Sequence, residues 1–241
     1  MNKQRLGRFI SKYYLNGTVN SVVLNSKSNS QQLTTRFISG DKTLLGELSL
    51  DKSQIEDCEI GVYNTEQFSK LLSVLDDDIN VSINKAGGKS ISLKVSDAHS
   101  SVNYMLSDIS VINKPPQMKQ IPEFDLEIDV TPQFINKFIA GKGALSDTDN
   151  FTVITDGTDT KLVIGYSSVN TNRVTIPVTT SRSSNIENVS FNANLFKEVL
   201  SANKECESAK FEVSGDGLSR ISFKIDDYES TYYLVSVQDL D

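Results

Sequence analysis

The residues Asn64-Thr65-Glu66-Gln67-Phe68-Ser69-Lys70-Leu71-Leu72 have a counterpart far along the chain, Asn192-Ala193-Asn194-Leu195-Phe196-Lys197-Glu198-Val199-Leu200. In both segments an Asn stands four residues before a Phe, and two aliphatic residues follow. Asn is a good helix N-cap because its side-chain oxygen accepts a hydrogen bond from an unpaired amide of the first turn. Each segment therefore predicts the start of a short amphipathic helix.

The similarity continues beyond these helices, through Gly87 and Gly217 and through Asp97 and Asp227, as far as Ser100-Ser101-Val102 and Ser230-Thr231-Tyr232. The residues in between alternate polar and apolar side chains, as in Ser90-Ile91-Ser92-Leu93-Lys94-Val95, and this period of two predicts a half-buried strand. One structural unit therefore occurs twice, roughly 130 residues apart. Such a spacing is too long for a solenoid and indicates two similar domains.

The other half of each domain has the same plan in a looser form. Residues 1–14 and 131–144 predict helices, the second of which starts with a Thr cap and a Pro at the first helical position, Thr131-Pro132. We therefore predict an α+β fold with two similar domains, 1–107 and 123–241, joined by a Pro-containing connector over 108–122. The strand candidates are 19–24, 33–38, 44–50, 59–63, 81–83, 90–95, 126–130, 151–155, 161–166, 173–178, 189–191 and 211–213.

The charge of the chain follows its predicted secondary structure. The net charge of −7 would, on average, repel nucleic acid. The four predicted helices, over 1–14, 64–75, 131–144 and 192–204, nevertheless carry a net +7, which leaves −14 for the rest. If these helices line one surface, their basic side chains are suited to sequence-independent contacts with phosphate. These side chains are Lys3, Arg5, Arg8, Lys12, Lys70, Lys137, Lys142, Lys197 and Lys204.

Three further observations concern this set of basic residues. A solvated polar face is the alternative explanation for the charges of any single amphipathic helix. Lys142 lies at the azimuth of the apolar side chains of its helix, so we expect it to follow a helix end at Gly141. Glu66 and Glu198 also depart from a fully basic surface.

The sequence lacks the patterns of common catalytic sites. Gly88-Lys89-Ser90 resembles the end of a phosphate loop, but Ile83 stands where the first Gly is required. His99 is the single histidine, and Asp76-Asp77-Asp78 lacks the spaced ligands of a calcium loop. We therefore predict no catalytic residue, no metal site, no cofactor and no enzymatic activity.

Cysteine usage and hydropathy predict the compartment. Cys58 and Cys206 form no CxxC pair, which favours two ordinary reduced thiols. The basic first eight residues are not followed by an apolar signal region, and no run of about 18 apolar residues occurs. These features predict a cytoplasmic protein without membrane association.

The sequence resembles that of a DNA polymerase sliding clamp, most closely the clamps of T-even-type bacteriophages. The resemblance is carried by Ile60-Gly61-Val62-Tyr63-Asn64-Thr65-Glu66-Gln67-Phe68 and by residues 71–78 and 95–101, and the domain plan extends it over essentially the whole chain. It implies a processivity factor of DNA replication: a head-to-tail homotrimeric ring with helices inside and antiparallel sheets outside. It also implies duplex DNA, a DNA polymerase and an ATP-driven clamp loader as partners, in the cytoplasm of the host cell if the protein is viral.

The resemblance further assigns two surfaces to this chain. Ring closure would pair an edge strand over 100–107 with one over 172–180 of the next subunit, through Ser101, Val102, Tyr104, Leu106, Arg173, Val174, Ile176 and Val178. Partner peptides would dock in an apolar pocket near the connector, formed by Phe37, Ile109, Val111, Ile112, Pro115, Pro116, Met118, Ile121, Leu234 and Val237. Packing in the core or the linker is the alternative for the pocket residues.

A structural β-rich protein of a phage virion or tail is the competing hypothesis. It accounts for the many strands, the loops rich in Ser and Asn, and the acidic net charge. It does not account for the concentration of basic residues on four helices at equivalent positions of a repeated unit.

Overall fold

The chain folds as two compact units in a computed structural model that describes residues 1–118, 120–169 and 171–237. The first unit contains Met1–Pro116 together with Asp226–Ser230, and the second contains Gln117–Ile225 and the residues from Thr231 on. The division falls within the connector predicted over 108–122. No helix among the described residues is long and apolar enough to cross a membrane.

Four α-helices and sixteen strands are found among the described residues. The helices are α1 (Lys3–Tyr14), α2 (Thr65–Ser73), α3 (Pro132–Ala144) and α4 (Ala193–Ala202). The strands of the first half are β1 (Val22–Lys27), β2 (Gln32–Ile38), β3 (Leu44–Leu50), β4 (Cys58–Val62), β5 (Asn80–Ala86), β6 (Lys89–Ser96) and β7 (Ser101–Met105). Those of the second half are β8 (Leu126–Val130), β9 (Asn150–Thr155), β10 (Thr160–Ile164), β11 (Val174–Val178), β12 (Thr180–Arg182), β13 (Val189–Asn192), β14 (Ala209–Val213), β15 (Leu218–Ile225) and β16 (Tyr228–Val235).

Each unit combines antiparallel strands with one pair of helices. In the first unit β3, β2, β1 and β4 lie side by side, and β5, β6 and β7 form a separate sheet. In the second unit β12, β8, β14 and β15 lie in that order, and β11, β10, β9 and β13 form a separate sheet. Helix α1 packs against α2 in the first unit, and α3 packs against α4 in the second. The predicted α+β plan of two similar domains is confirmed.

The predicted N-caps explain where three of the helices begin. The side chains of Asn64 and Asn192 each accept a hydrogen bond from the amide three residues later, at 2.9 Å. Thr131 caps α3 in the same way and is followed by Pro132 at the first helical position. These bonds satisfy amides that have no partner within the helix, so the local sequence is sufficient to set the helix starts.

Aromatic side chains form the core beneath the helices. In the second unit the rings of Phe138, Phe151, Phe196 and Phe211 lie with neighbouring centroids 4.7–5.1 Å apart, and all four are buried. Rings of this size bury large apolar areas, and truncation of one to Ala typically costs about 3–5 kcal/mol. The two repeated Phe residues, Phe68 and Phe196, are therefore core residues at equivalent helix positions.

The end of α3 agrees with the predicted range 131–144, but the expectation of a helix end at Gly141 is wrong. We expected α3 to end at Gly141, but the helix continues to Ala144. A Cβ atom at Gly141 would lie 3.0 Å from Cγ1 of Val174 and 3.3 Å from Cδ1 of Ile164. The glycine therefore permits close packing of the helix on β10 and β11, and it is not a C-cap.

Candidate nucleic-acid interface

Arg5 of α1 is held by several oxygen atoms of the first unit. Its guanidinium donates to the Asp227 carboxylate at 2.7 Å and to the backbone carbonyl of Asp51 at 2.6 Å. A third bond reaches the carbonyl of Lys52 at 3.2 Å. Asp227 also accepts from Lys52 Nζ at 2.7 Å. Arg5 therefore anchors α1 to the turn between β15 and β16, because its guanidinium is hydrogen-bonded to Asp227 of that turn and to two backbone carbonyls.

Arg8 lies one helical turn further on and is more accessible. It forms an ion pair of 3.0 Å with Asp226, and the two side chains are 38% and 67% exposed. Its guanidinium carbon lies 4.8 Å from the centre of the Tyr228 ring, at the distance of a cation–π contact. Arg8 therefore combines a fixed aromatic support with an exposed ionic partner.

Lys12 does not fit the predicted phosphate contact. Its exposed fraction is 0%, and its Nζ lies 5.5 Å from the centre of the Tyr228 ring. Its spacing from Arg5 and Arg8 placed it correctly on the same flank of α1, but the turn at 226–230 covers that part of the flank. A buried ammonium group cannot reach a phosphate in this arrangement.

Lys3 and Lys70 each have a partner within the first unit. The Nζ of Lys3 donates to the carbonyl of Leu75, beyond the end of α2. Lys70 pairs with Glu66 one turn earlier in α2, at 2.5 Å, and this hydrogen bond raises the pKa of Lys70 above its ordinary value. The Lys70 side chain is nevertheless 73% exposed.

The basic residues of the second unit divide into exposed and buried ones. Lys137 and Lys204 are exposed, and no described residue forms an ion pair with either. The Nζ atom of Lys197 lies 3.4 Å from Oε1 of Glu198. Lys142 is only 4% exposed, and its Nζ donates to the carbonyls of Leu145 and Ser146 at 3.3 and 2.8 Å. Lys142 thus caps the C-terminus of α3, where a cation is favoured by the helix dipole, and the prediction that it faces DNA is wrong.

Sequence reasoning missed Asp226, Asp227 and Tyr228 as partners of the basic helix α1. The sequence repeat aligns Asp227 with Asp97, but the Asp97 carboxylate has a different structural role. The Asp97 carboxylate accepts from the amides of Asp76, His99 and Ser100 at 2.6, 2.7 and 2.5 Å, and these bonds lower its pKa. Two adjacent aspartates in a hairpin turn were the available signal, but the turn's contact with α1 depends on tertiary structure.

Asp76, Asp97 and His99 bring their ligand atoms within 4.8 Å of one another. The Nδ1 atom of His99 lies 3.2 Å from Asp76 Oδ2. The three residues join the loop after α2 to the turn between β6 and β7. Asp97 is occupied by backbone amides, so the arrangement is explained by the structure of the turn.

Several predicted pocket residues lie in the core. Phe37 is 1% exposed, with its ring 6.3 Å from that of Tyr13 and against Gly46. Ile112 and Leu234 are 5% and 1% exposed. These three are therefore not surface residues of their units, and their predicted contact with a partner peptide is not supported. Of the others, Val111, Pro116 and Ile121 are exposed, and Ile109, Pro115, Met118 and Val237 are intermediate.

The first unit also has an open cavity of about 490 Å³ between β4, the β5–β6 hairpin and residues 107–109. Of the predicted pocket residues, Ile109 lines it, together with Cys58, Lys85 and Lys89. Burial raises the pKa of the Cys58 thiol to about 11. Cys58 is half-buried, and Cys206 is buried with its thiol donating to the Ser208 carbonyl at 3.0 Å.

The two strands expected at subunit contacts each lie at the edge of a sheet. Strand β7 pairs with β6 on one side, and β11 pairs with β10 on one side. Ser101 and Arg173 are exposed, whereas Val102, Leu106, Val174 and Val178 are intermediate. Tyr104 and Ile176 are 4% exposed, so their side chains face the core and only their backbones are available at the edge.

Solved structures share this fold. The chain resembles the proliferating cellular nuclear antigen of Entamoeba histolytica with a TM-score of 0.73 and 14% identity, over 98% of this chain and 96% of that one. It also resembles a chain of the PCNA2–PCNA3 complex of Sulfolobus tokodaii with a TM-score of 0.71 and 11% identity, over 98% and 97%. No protein-family model and no curated protein sequence matches the chain. The fold is therefore that of PCNA-type sliding clamps.

Proposed function

We propose that this chain is a subunit of a DNA sliding clamp, a non-enzymatic processivity factor that encircles duplex DNA and tethers a replicative polymerase to it. The observation that carries the proposal is the PCNA-type fold over 98% of the chain, with basic residues concentrated on its four helices. A fold alone does not define function. The charge distribution supplies the physical argument, since contacts between basic groups and phosphates are independent of base sequence.

The proposed DNA-facing set is smaller than the sequence predicted. It retains the accessible Arg8, Lys70, Lys137, Lys197 and Lys204, with Lys3 and Arg5 in supporting positions. Lys12 and Lys142 leave the set because they are buried. A few weak contacts in each subunit are compatible with movement along DNA, because exposed ion pairs exchange readily with water and salt.

The proposed ring contains three copies of the chain, joined head to tail by β7 of one subunit and β11 of the next. An unpaired strand edge promotes association with another strand, and ring closure would satisfy both edges. The T-even-type subtype rests on the sequence resemblance, and the proposed cytoplasmic location rests on that resemblance together with cysteine usage.

The proposed protein partners are a DNA polymerase and an ATP-driven clamp loader. Their peptides would dock near the connector, where Val111 and Ile121 are 60% and 42% exposed. Pro116 is also exposed there, and its carbonyl accepts from Arg36 at 3.0 Å, so this end of the first unit's connector is attached to β2.

Light scattering coupled to size-exclusion chromatography tests the ring. Three copies of the 26.6 kDa chain give roughly 80 kDa. The substitution Val102→Arg at the β7 edge should yield a monomer, because it places a charge in the proposed interface. Val81→Arg is the matched control, since Val81 shares a register row with Val102 on the opposite edge of the same sheet. A wild-type protein that is monomeric at micromolar concentration would contradict the ring.

Retention on circular DNA tests the encircling function. The protein is loaded onto nicked plasmid with its loader, and the plasmid is then linearised with a restriction enzyme. A clamp remains on the circle and dissociates from the linear form. A virion or tail protein would show no dependence on DNA topology, and that result would favour the competing hypothesis.

A further inference from the structure

The turn between β15 and β16 presents two adjacent carboxylates to α1, and they differ in their surroundings. Asp227 accepts from Arg5 and from Lys52, and Arg5 is also bound to two backbone carbonyls. The side chains of Arg5 and Asp227 are both 27% exposed. This pair belongs to a dense set of hydrogen bonds, so it serves to hold the turn on the helix.

Asp226 is in a different position. Its side chain is 67% exposed, and its carboxylate pairs with Arg8 at 3.0 Å. Arg8 rests on the Tyr228 ring, whose hydroxyl donates to the Arg5 carbonyl at 2.9 Å. The aromatic support is therefore fixed to α1 and keeps the guanidinium in place whichever anion it binds.

The backbone conformation of Asp226 restricts which residue types fit this position. Its φ of +53° lies in the left-handed region, which Gly, Asn and Asp adopt more readily than other residues. An uncharged Asn would thus serve the turn equally well and would leave Arg8 without this carboxylate. The turn geometry therefore does not require the charge at Asp226, and that charge lies 3.0 Å from Arg8.

We propose that Asp226 competes with DNA phosphate for Arg8 and so limits the affinity of this face for DNA. Carboxylate and phosphate oxygens bind a guanidinium in the same way. An exposed ion pair contributes little net free energy, so a phosphate of the duplex can replace Asp226 without disturbing the fold. The inference rests on the proposed function, because it requires that α1 face DNA.

The test measures by anisotropy the weak direct affinity of the full-length protein for a fluorescently labelled duplex of about 30 base pairs, which is separate from its retention on circular DNA, at about 50 mM salt to strengthen phosphate contacts. The variant Asp226→Asn removes the charge and keeps a residue suited to positive φ. It should bind the duplex about two- to fivefold more tightly than the wild type. Asp216→Asn is the matched control, because it removes one negative charge from an exposed turn between β14 and β15. Its affinity should equal that of the wild type.

A second variant shows whether the effect passes through Arg8. In an Arg8→Gln background, Asp226→Asn should no longer change affinity. The proposal is overturned if Asp226→Asn and Asp216→Asn tighten binding equally, which indicates a general charge effect. It is also overturned if the gain persists without Arg8.

The proposed function has its own readout in the same assay. If Arg8→Gln and Lys137→Gln each weaken binding while Asp226→Asn has no effect, the DNA-facing surface stands and only the competition fails. If neither Arg8→Gln nor Lys137→Gln weakens binding, the DNA-facing surface and the competition are both wrong.

Discussion

Helices α1 and α3 are the first helices of the two units, and both were expected to present basic residues to DNA, but they use these residues differently. In α1, Arg5 and Arg8 pair with Asp227 and Asp226 at 2.7 and 3.0 Å. In α3, Lys142 turns back to the carbonyls at its own C-terminus, and Lys137 is exposed with no ion pair from the described residues.

The difference shows that basic residues on an amphipathic helix serve at least three purposes in this protein. Arg5 anchors a turn, Lys142 caps a helix, and Lys137 is available to an external anion. A net charge counted from the sequence treats these as equal. Carboxylates therefore neutralise more of the positive charge on α1 than on α3. No described carboxylate pairs with Lys137 of α3.

The largest expected effect comes from removing the anchor in α1. Arg5→Ala loses an ion pair and two hydrogen bonds to backbone carbonyls, and should lower the free energy of unfolding by about 2 kcal/mol. This corresponds to a Tm lower by about 4–8 °C, measured by circular dichroism. Lys85→Ala, which removes an exposed pair with Glu56, is the control and should cost less than about 1 kcal/mol. Equal losses in the two variants would show that Arg5 is not a structural anchor.

In α3, the contrast is between the buried and the exposed lysine. Lys142→Ala removes two hydrogen bonds and the packing of the side-chain stem, and should cost about 1–2 kcal/mol in urea unfolding. Lys137→Ala should change stability by less than about 0.5 kcal/mol. If Lys142→Ala is as harmless as Lys137→Ala, its capping role is wrong.

The ion pair of Asp227 predicts a pH dependence confined to acid. The hydrogen bond from Lys52, together with the charges of Lys52 and Arg5, lowers the pKa of Asp227 below its ordinary value. A carboxylate with a lowered folded-state pKa stabilises the protein above its unfolded pKa of about 4, and this contribution is lost as pH falls through the folded value.

Thermal melts between about pH 7 and pH 3 test this dependence. The Tm of Asp227→Asn should lie below that of the wild type at neutral pH, and the gap should shrink as the pH falls below about 4. A gap that stays constant over this range would mean that the charge of Asp227 contributes nothing.

Substitution of the exposed lysines of the second unit is expected to have the smallest effect on stability. It should act specifically on DNA binding. Lys137→Gln combined with Lys204→Gln should leave Tm unchanged and reduce the slope of log affinity against log salt by about 2. Lys12→Gln is the comparison in the first unit and should leave that slope unchanged because Lys12 is buried. The reverse result would restore Lys12 to the DNA-facing surface and remove the two lysines from it.

Much of the fold could be predicted from local sequence. The caps at Asn64, Thr131 and Asn192 and the apolar stripe of α1 act within a few residues, so they can be recognised without knowledge of the tertiary structure. The boundaries were less certain: β1 begins at Val22, three residues later than predicted, and Gly141 lies inside a helix. Gly141 was wrongly interpreted as a helix end because its role, close packing against Val174, depends on a residue that is distant in sequence.

The candidate site was predicted less well than the fold. The exposure of Lys137 and Lys70 followed from helical azimuth, but the burial of Lys12 depends on Tyr228, more than two hundred residues away. Phe37, Ile112 and Leu234 were chosen by analogy, and each is covered by residues that sequence spacing does not reveal.

The sequence by itself determined the repeated unit, the four helices and the concentration of basic residues on them, because periodicity and capping are local properties of the chain. Only the tertiary structure decided which of those cations meet a carboxylate, a carbonyl, an aromatic ring or solvent. The reason is that an ion pair depends on the distance between two groups in space. Asp226 and Asp227 are far from α1 in sequence, and only the folded chain places them beside it.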